Sequence, residues 1–425
     1  MSPTHATKPD KPGIIAIAVQ LPEQSDAEIE DSLAELSELV KTAGGVVVGS
    51  VVQKRQRYDR SSYLGTGKMK EVAELIETTG AVQVVADDEL TSLQVRRLEE
   101  GIGCEVLDRT GIILNIFSDH ASTREGKLQV ELAAVQYSLL RLAGGYRGMS
   151  RQRGGIGLKG PGETKIETDR RVLKMRLKRL NDELDKVVQD RDLQRRKRTD
   201  RYAPLFALVG YTNAGKSTLL NALSGSAVRV CDGLFTTLDP TARRVELAGG
   251  LRGILSDTVG FIRKLPHGLV QAFRATLESV RHSQVLIHVC DVSNVQAREH
   301  LAAVERVLQE MELEDPDRII VFNKIDRGVP HNREALSAMF PDAIFLSART
   351  GENLDELRRV MEEKLCASFE TVELTVPSDA PVLKDIRLLG RILSEEWMEG
   401  AVQLRADLPK TFLSRVAAFR TGVTR

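Results

Sequence analysis

The sequence predicts an α/β protein of several domains: a small α/β domain, an antiparallel helical hairpin, a larger α/β domain built on a phosphate-binding loop, and a small C-terminal α/β unit. Three observations carry this expectation. Short apolar runs alternate with amphipathic stretches over the first hundred residues, as in a mostly parallel sheet. Two apolar stripes of 4-3-4-3 spacing follow. A strand-like run then enters a GxxxxGK[ST] loop that opens a helical stretch. A length of 425 residues accommodates such a series, at roughly 100 to 200 residues per domain.

Taken in order, residues 1–13 are polar and Pro-containing and read as a disordered leader. Residues 14–118 form the first domain, with strands Ile14–Val19, Val46–Val52, Val82–Ala86 and Glu105–Leu107. Helices Asp26–Thr42, Lys68–Thr79 and Ser92–Glu100 lie between them. Gly65-Thr66-Gly67-Lys68 has the look of a phosphate loop but is too short for the full motif, and reads as a strand-to-helix turn.

Residues 119–201 make the hairpin. Leu128, Leu132, Val135, Leu139 and Leu142 form one stripe, and Leu173, Leu177, Leu180, Leu184 and Val187 the other. Each narrow seam can bury only against its counterpart. The connector, residues 144–162, holds eight glycines, Tyr146 and the basic residues Arg147, Arg151, Arg153 and Lys159, with no acidic residue. Such a segment cannot pack a core and suits contact with a phosphate backbone.

Charge supports a local contact of that kind. The chain carries 60 basic and 60 acidic residues, which excludes indiscriminate polyanion binding over the whole surface. The balance is uneven, however. Residues 1–110 hold 19 acidic against 12 basic residues, whereas 141–201 hold 19 basic against 9 acidic. Four scattered cysteines, Cys104, Cys231, Cys290 and Cys366, show no CxxC spacing and suggest neither a disulfide framework nor a zinc site. No apolar run approaches a membrane span and the start lacks a signal-peptide core, so a cytoplasmic protein is expected.

Residues 202–370 carry the chemistry. Strand Leu205–Val209 leads into Gly210-Tyr211-Thr212-Asn213-Ala214-Gly215-Lys216-Ser217, followed by helical Thr218–Leu223. The glycines let backbone N–H groups face phosphates at a helix N-terminus, Lys216 reaches the β and γ phosphates, and Ser217 ligates Mg²⁺. Asp257-Thr258-Val259-Gly260 follows strand Gly253–Ser256; Asp257 is placed to hold Mg²⁺ through water, and Gly260 to donate its N–H to the γ-phosphate. Between them, Phe235-Thr236-Thr237-Leu238-Asp239 supplies a threonine for the second Mg²⁺ contact, with Thr237 preferred over Thr236. Strand Ile319–Phe322 leads into Asn323-Lys324-Ile325-Asp326, where an Asp accepts from N1 and the exocyclic amine of guanine, donors that adenine lacks. Ser347-Ala348-Arg349 follows strand Ala343–Leu346 and brings a backbone N–H near the guanine O6.

These motifs, in this order, resemble the translation-factor-related P-loop GTPases. The flanks narrow the resemblance: the phosphate loop, Leu234-Phe235-Thr236-Thr237-Leu238-Asp239-Pro240-Thr241, Asp257-Thr258-Val259-Gly260-Phe261, the connector from Gly154 to Lys165 and the stretch Asp108–Phe117 look like the HflX family of GTPases. The likeness runs over nearly the whole chain. It implies a cytosolic, GTP-hydrolysing factor that binds the large ribosomal subunit and splits stalled or idle ribosomes, with rRNA met by the hairpin and its connector. A scaffold or assembly factor with the same nucleotide site and no splitting activity is the other reading. No membrane partner and a monomeric state are expected.

Two departures matter for mechanism. Phe261 stands where Ras-like enzymes place a water-orienting glutamine, a departure that the family shares, so slow intrinsic hydrolysis stimulated by the ribosome is expected. Lys216, Thr237 and Gly260 are then the residues expected to carry catalysis. Asn213 either stabilises the turn or resembles the residue that helps bind K⁺ in some GTPases without that glutamine.

Residues 371–425 form the tail, read as strand Val372–Val376, helix Asp385–Trp397, strand Ala401–Leu404 and helix Lys410–Phe419. Trp397 is expected in the core, and Val402–Asp407 could serve as an edge strand for docking.

Overall fold

Strand β1 (Gly13–Gln20) is an almost unbroken apolar run buried on both faces, the pattern of a central parallel strand. In this computed structural model it lies between β2 (Val46–Lys54) and β3 (Gln83–Ala86), and β4 (Glu105–Asp108) completes a parallel sheet of order β2-β1-β3-β4. The structure describes residues 11–59, 61–144, 161–197, 204–225, 233–235, 237, 239, 241–264, 278–310, 317–329 and 333–422. Helices α1 (Asp26–Thr42), α2 (Thr66–Thr79) and α3 (Ser92–Ile102) make the crossovers. Ser25 and Glu28 cap α1 reciprocally, as Thr91 and Gln94 cap α3, an arrangement worth about 1 kcal/mol per helix. Gly65 is the residue before α2; its N–H donates to Gln53 Oε1 at 2.8 Å, while Lys68 pairs with Glu71. This geometry is that of a strand-to-helix turn.

Asp108 ends β4 and begins α4 (Arg109–His120), a helix that the sequence reading did not assign. Its carboxylate accepts from the Gly111 and Leu90 N–H groups and from the Tyr137 hydroxyl. Arg109, only 1% exposed, is paired with Glu35 and with Asp87. This polar node sits at the carboxyl ends of the parallel strands.

The hairpin consists of α5 (Arg124–Gly144) and α6 (Pro161–Lys197). Glu131 on α5 pairs with Arg176 on α6. Leu128, Leu132, Val135 and Leu180 are buried in the seam, with Leu139, Leu173, Leu177, Leu184 and Val187 partly buried around them. The connector residues Arg147, Arg151, Arg153 and Lys159 lie outside the described residues.

The chain divides into two compact units, Met1–Val187 with Lys264–Phe273, and Val188–Arg263 with Arg274–Arg425. In the second unit a six-stranded sheet has the order β10-β9-β8-β5-β7-β6. Its strands are β5 (Leu205–Gly210), β6 (Ala242–Glu246), β7 (Arg252–Ser256), β8 (Val285–Asp291), β9 (Asp317–Asn323) and β10 (Ile344–Phe345). Only β6 is antiparallel to its neighbour. Helices α7 (Lys216–Ser224), α8 (Glu278–Arg281), α9 (Ala297–Glu310), α10 (Arg333–Met339) and α11 (Leu354–Cys366) belong to the same unit. The motif residues fall at the carboxyl ends of β5, β7 and β9, where open α/β sheets bind ligands.

The C-terminal unit corrects the expected element order. Helix α12 (Val382–Leu389) stops at Gly390, whose extended backbone (φ −114°, ψ 156°) starts β12 (Arg391–Met398). The single helix expected over Asp385–Trp397 is thus a helix and a strand. With β11 (Phe369–Pro377), β13 (Ala401–Pro409) and β14 (Arg420–Gly422), β12 forms an antiparallel sheet of order β12-β13-β11-β14. Strand β13, which holds Val402–Asp407, is therefore internal, and β12 is one of the two edges. Trp397 is 64% exposed on that edge, with the Arg387 guanidinium 5.6 Å from its ring centre, rather than in the core. The expected last helix reduces to a 3₁₀ turn, the short α13 (Leu413–Val416) and another 3₁₀ turn. Among the described residues no helix is long and apolar enough to cross a membrane.

Candidate nucleotide and magnesium site

Strand β5 ends at Gly210, and the next five residues wrap the N-terminus of α7. Gly215 has φ +94°, and a Cβ there would lie 2.3 Å from Asn323 Nδ2, so the turn accepts no side chain. Asn213 is also left-handed, at φ 58°, a conformation that Asn tolerates. Lys216 is buried, and its ammonium donates to the carbonyls of Gly210 (3.0 Å) and Tyr211 (2.9 Å). Burial lowers its pKa to about 8.

The three residues expected to hold Mg²⁺ converge. Ser217 Oγ lies 2.8 Å from Thr237 Oγ1 and donates to Asp257 Oδ2 at 2.6 Å. Two hydroxyls and a carboxylate are a hard-oxygen donor set of the kind magnesium takes. Burial raises the Asp257 pKa, against the opposing pull of Lys216, so a cation beside it would offset the cost of the buried charge. Thr236 lies outside the described residues.

Gly260 lines the Lys216 end of the cleft. A Cβ at this position would stand 2.7 Å from Thr212 Cα, 2.9 Å from Thr212 Cβ and 3.1 Å from Lys216 Nζ. Beyond it the phosphate loop and the Asp257–Gly260 loop are joined by backbone bonds, Thr212 N–H to Phe261 C=O at 2.6 Å and Phe261 N–H to Gly210 C=O at 3.1 Å. Phe261 is buried, with no polar atom to offer an attacking water. Thr258 and Val259 are buried too, and the Thr258 hydroxyl donates to the Leu208 carbonyl.

At the opposite end, Asn323 donates to the Ala214 carbonyl at 2.9 Å and accepts from the Ala348 N–H at 2.9 Å, tying three motifs together. Lys324 Nζ donates to the Asn213 carbonyl at 2.6 Å. One oxygen of Asp326 accepts from Ser347 Oγ at 2.6 Å and the other faces Arg349. The Ser347 hydrogen bond, ahead of Arg349, holds the Asp326 carboxyl below its ordinary range. Lys216, Ser217, Thr218, Thr237, Gly260 and Asp326 all line one cleft.

Two contributors, Asp291 and His300, escaped the sequence reading, and a third, Phe235, was named there without a role of its own. Asp291, at the end of β8, pairs with Lys324 at 2.7 Å; a carboxylate at the carboxyl end of a central parallel strand was the available signal. Phe235 is buried with φ 57° and donates its N–H to Thr212 Oγ1 at 2.8 Å, a contact that no spacing announces. His300 on α9 stacks on the ring of Tyr211.

Comparison with known proteins agrees with this geometry. Family descriptions match in three consecutive blocks: "GTP-binding GTPase N-terminal" over residues 30–118, "GTP-binding GTPase Middle Region" over 120–198 and "50S ribosome-binding GTPase" over 205–324. GTPase HflX of Caldanaerobacter subterraneus is 41% identical over 96% of this chain and 94% of its own length. GTPase HflX of Lacrimispora saccharolytica is 42% identical over 95% of both. GTPase HflX of Escherichia coli is 39% identical over 93% of both. With a GTP-type site at the ends of its parallel strands and this likeness along its length, the chain belongs to the HflX family of GTPases.

Proposed function

We propose that this GTPase binds the large ribosomal subunit in its GTP form and separates the subunits of stalled or idle ribosomes, hydrolysis timing its release. The observation that carries the reading is the match of residues 205–324 to a 50S ribosome-binding GTPase family, together with HflX relatives along the chain. The basic connector with Arg147, Arg151, Arg153 and Lys159 supplies the rRNA contact in this proposal, and the protein acts as a cytoplasmic monomer.

At the site, Lys216 holds the β and γ phosphates and the phosphate-loop N–H groups surround them. Gly260 donates to the γ-phosphate, and Asp326, steadied by Ser347 and Arg349, reads guanine. Ser217, Thr237 and Asp257 hold Mg²⁺, which supplies charge neutralisation at the phosphate oxygens. Phe261 cannot orient water, so intrinsic hydrolysis is slow and the ribosome accelerates it by ordering the loops around Thr237 and Gly260. Asn213 already has a turn role through its positive φ. A K⁺ role adds to it in this proposal, and equal turnover in K⁺ and Na⁺ would leave the turn role alone.

Sedimentation of intact ribosomes with the protein and GTP, a non-hydrolysable analogue or GDP tests the whole. Dissociation with the analogue is the expected result. Association without dissociation would replace splitting with the scaffold reading.

A further inference from the structure

The hydroxyl of Thr212 accepts the Phe235 N–H at 2.8 Å, while the backbone N–H of the same residue donates to the Phe261 carbonyl at 2.6 Å. One phosphate-loop residue therefore holds both flanking loops, the one carrying Thr237 and the one carrying Gly260. Its side chain lines the cleft and packs where a Cβ on Gly260 would stand, beside Lys216 Nζ, which marks the γ-phosphate end. A threonine hydroxyl that accepts from Phe235 keeps its own hydrogen to donate, and the cleft is the polar space it faces.

We propose that Thr212 is a positioning residue that reads the γ-phosphate: its O–H donates to the terminal phosphate while its oxygen anchors the Phe235 backbone, so GTP rather than GDP fixes the Thr237 loop. The anchored segment is primed to respond. Phe235 holds φ 57°, unfavourable for a bulky residue, and is retained there by its burial and by this hydrogen bond. A γ-phosphate that accepts from this hydroxyl makes its oxygen a stronger acceptor for the Phe235 N–H, and so steadies the strained residue further. Buried Phe261 leaves the neighbouring loop without a polar side chain at that position, and Thr212 supplies a hydroxyl beside Lys216.

The proposal rests on the GTPase reading and is tested with the full-length protein carrying Thr212→Val or Thr212→Ser. Affinities for GDP and for a non-hydrolysable GTP analogue are measured alongside kcat and KM. Valine keeps the shape and loses the hydroxyl, so analogue affinity and kcat fall by about tenfold, the scale of one lost hydrogen bond to a charged group, while GDP affinity stays within about twofold. Serine restores both. Equal losses for GDP and analogue would reveal a general phosphate-loop defect and overturn the proposal, as would no loss for either. A native chain that bound neither nucleotide would instead sink the GTPase reading, and this proposal with it.

Discussion

The ring of Tyr211 lies flat against the imidazole of His300, centroids 3.8 Å apart and planes within 6°. The stack fixes the direction of the tyrosine hydroxyl, which accepts the Arg263 N–H at 2.7 Å. A phosphate-loop side chain is thereby held by α9 and in turn holds the segment after Gly260. Burial lowers the His300 pKa to about 4, so the imidazole is neutral at physiological pH and the stack involves two neutral rings.

Tyr211→Phe separates the two functions of this residue, keeping the stack and removing the acceptor. The segment after Gly260 loses one tether, and kcat should change by about three- to tenfold with nucleotide affinity nearly unchanged. His300→Ala removes the stack and opens space beside Tyr211, so it should lower stability by about 1 to 2 kcal/mol. Steady-state GTPase assays and urea denaturation read the two effects. An unchanged rate in Tyr211→Phe would show that the hydroxyl tether has no part in turnover.

Asp326→Asn should transfer preference from GTP toward xanthosine triphosphate. Guanine presents two donors to the Asp326 carboxylate, and an amide offers only one acceptor beside a donor. Xanthine replaces the exocyclic amine by an oxygen that can accept from that amide. GTP affinity should fall on the order of a hundredfold. Competition binding with GTP, ATP and xanthosine triphosphate measures the change. A variant that still prefers GTP would remove Asp326 from base recognition.

The motifs around this cleft were legible because their geometry is local. GxxxxGK[ST] places backbone amides, Lys216 and Ser217 within one turn, whatever the rest of the chain does. Helix α1 was legible for the same reason, since Ser25 and Glu28 write its start into four residues. The C-terminal strand β12 was not. Val382, Leu383, Ile386, Leu389, Leu393 and Trp397 continue a helical spacing straight through Gly390, and pairing of Arg391–Met398 with β13 overrides it. Contacts such as Asp291–Lys324 and Thr212–Phe235 join residues far apart in sequence, so no window of pattern could contain them.

Arg109→Met tests the buried node of the first unit. The side chain is almost wholly enclosed and pairs with Glu35 and Asp87, and Asp87 also accepts from Ser32 Oγ at 2.7 Å. Removing the guanidinium takes a paired cation away from Glu35 and from Asp87 in a poorly solvated place. A loss of about 3 kcal/mol is expected, read as a lower urea midpoint. The double change Arg109→Met with Glu35→Leu should recover part of it, because the stranded charge is then gone as well. Failure of the second change to recover any stability would mean that the pair contributes shape rather than charge.

Lys216 makes nucleotide binding depend on pH in a definite direction. Burial lowers its pKa to about 8, and phosphate oxygens raise that value because they favour the charged ammonium. Below pH 8 the lysine is protonated both before and after binding, and affinity is flat with respect to this group. Above pH 8 the unliganded protein has lost the proton and must take it up on binding. GDP affinity should then fall by up to about tenfold per pH unit until the bound-state pKa is passed. Calorimetry at pH 8.5 in buffers of different ionisation enthalpy should register uptake of roughly three quarters of a proton per nucleotide. Lys216→Arg, charged over the whole range, should bind more weakly because its fork does not fit the Gly210 and Tyr211 carbonyls, and its uptake should vanish. Uptake that persisted in the arginine variant would assign the proton to another group.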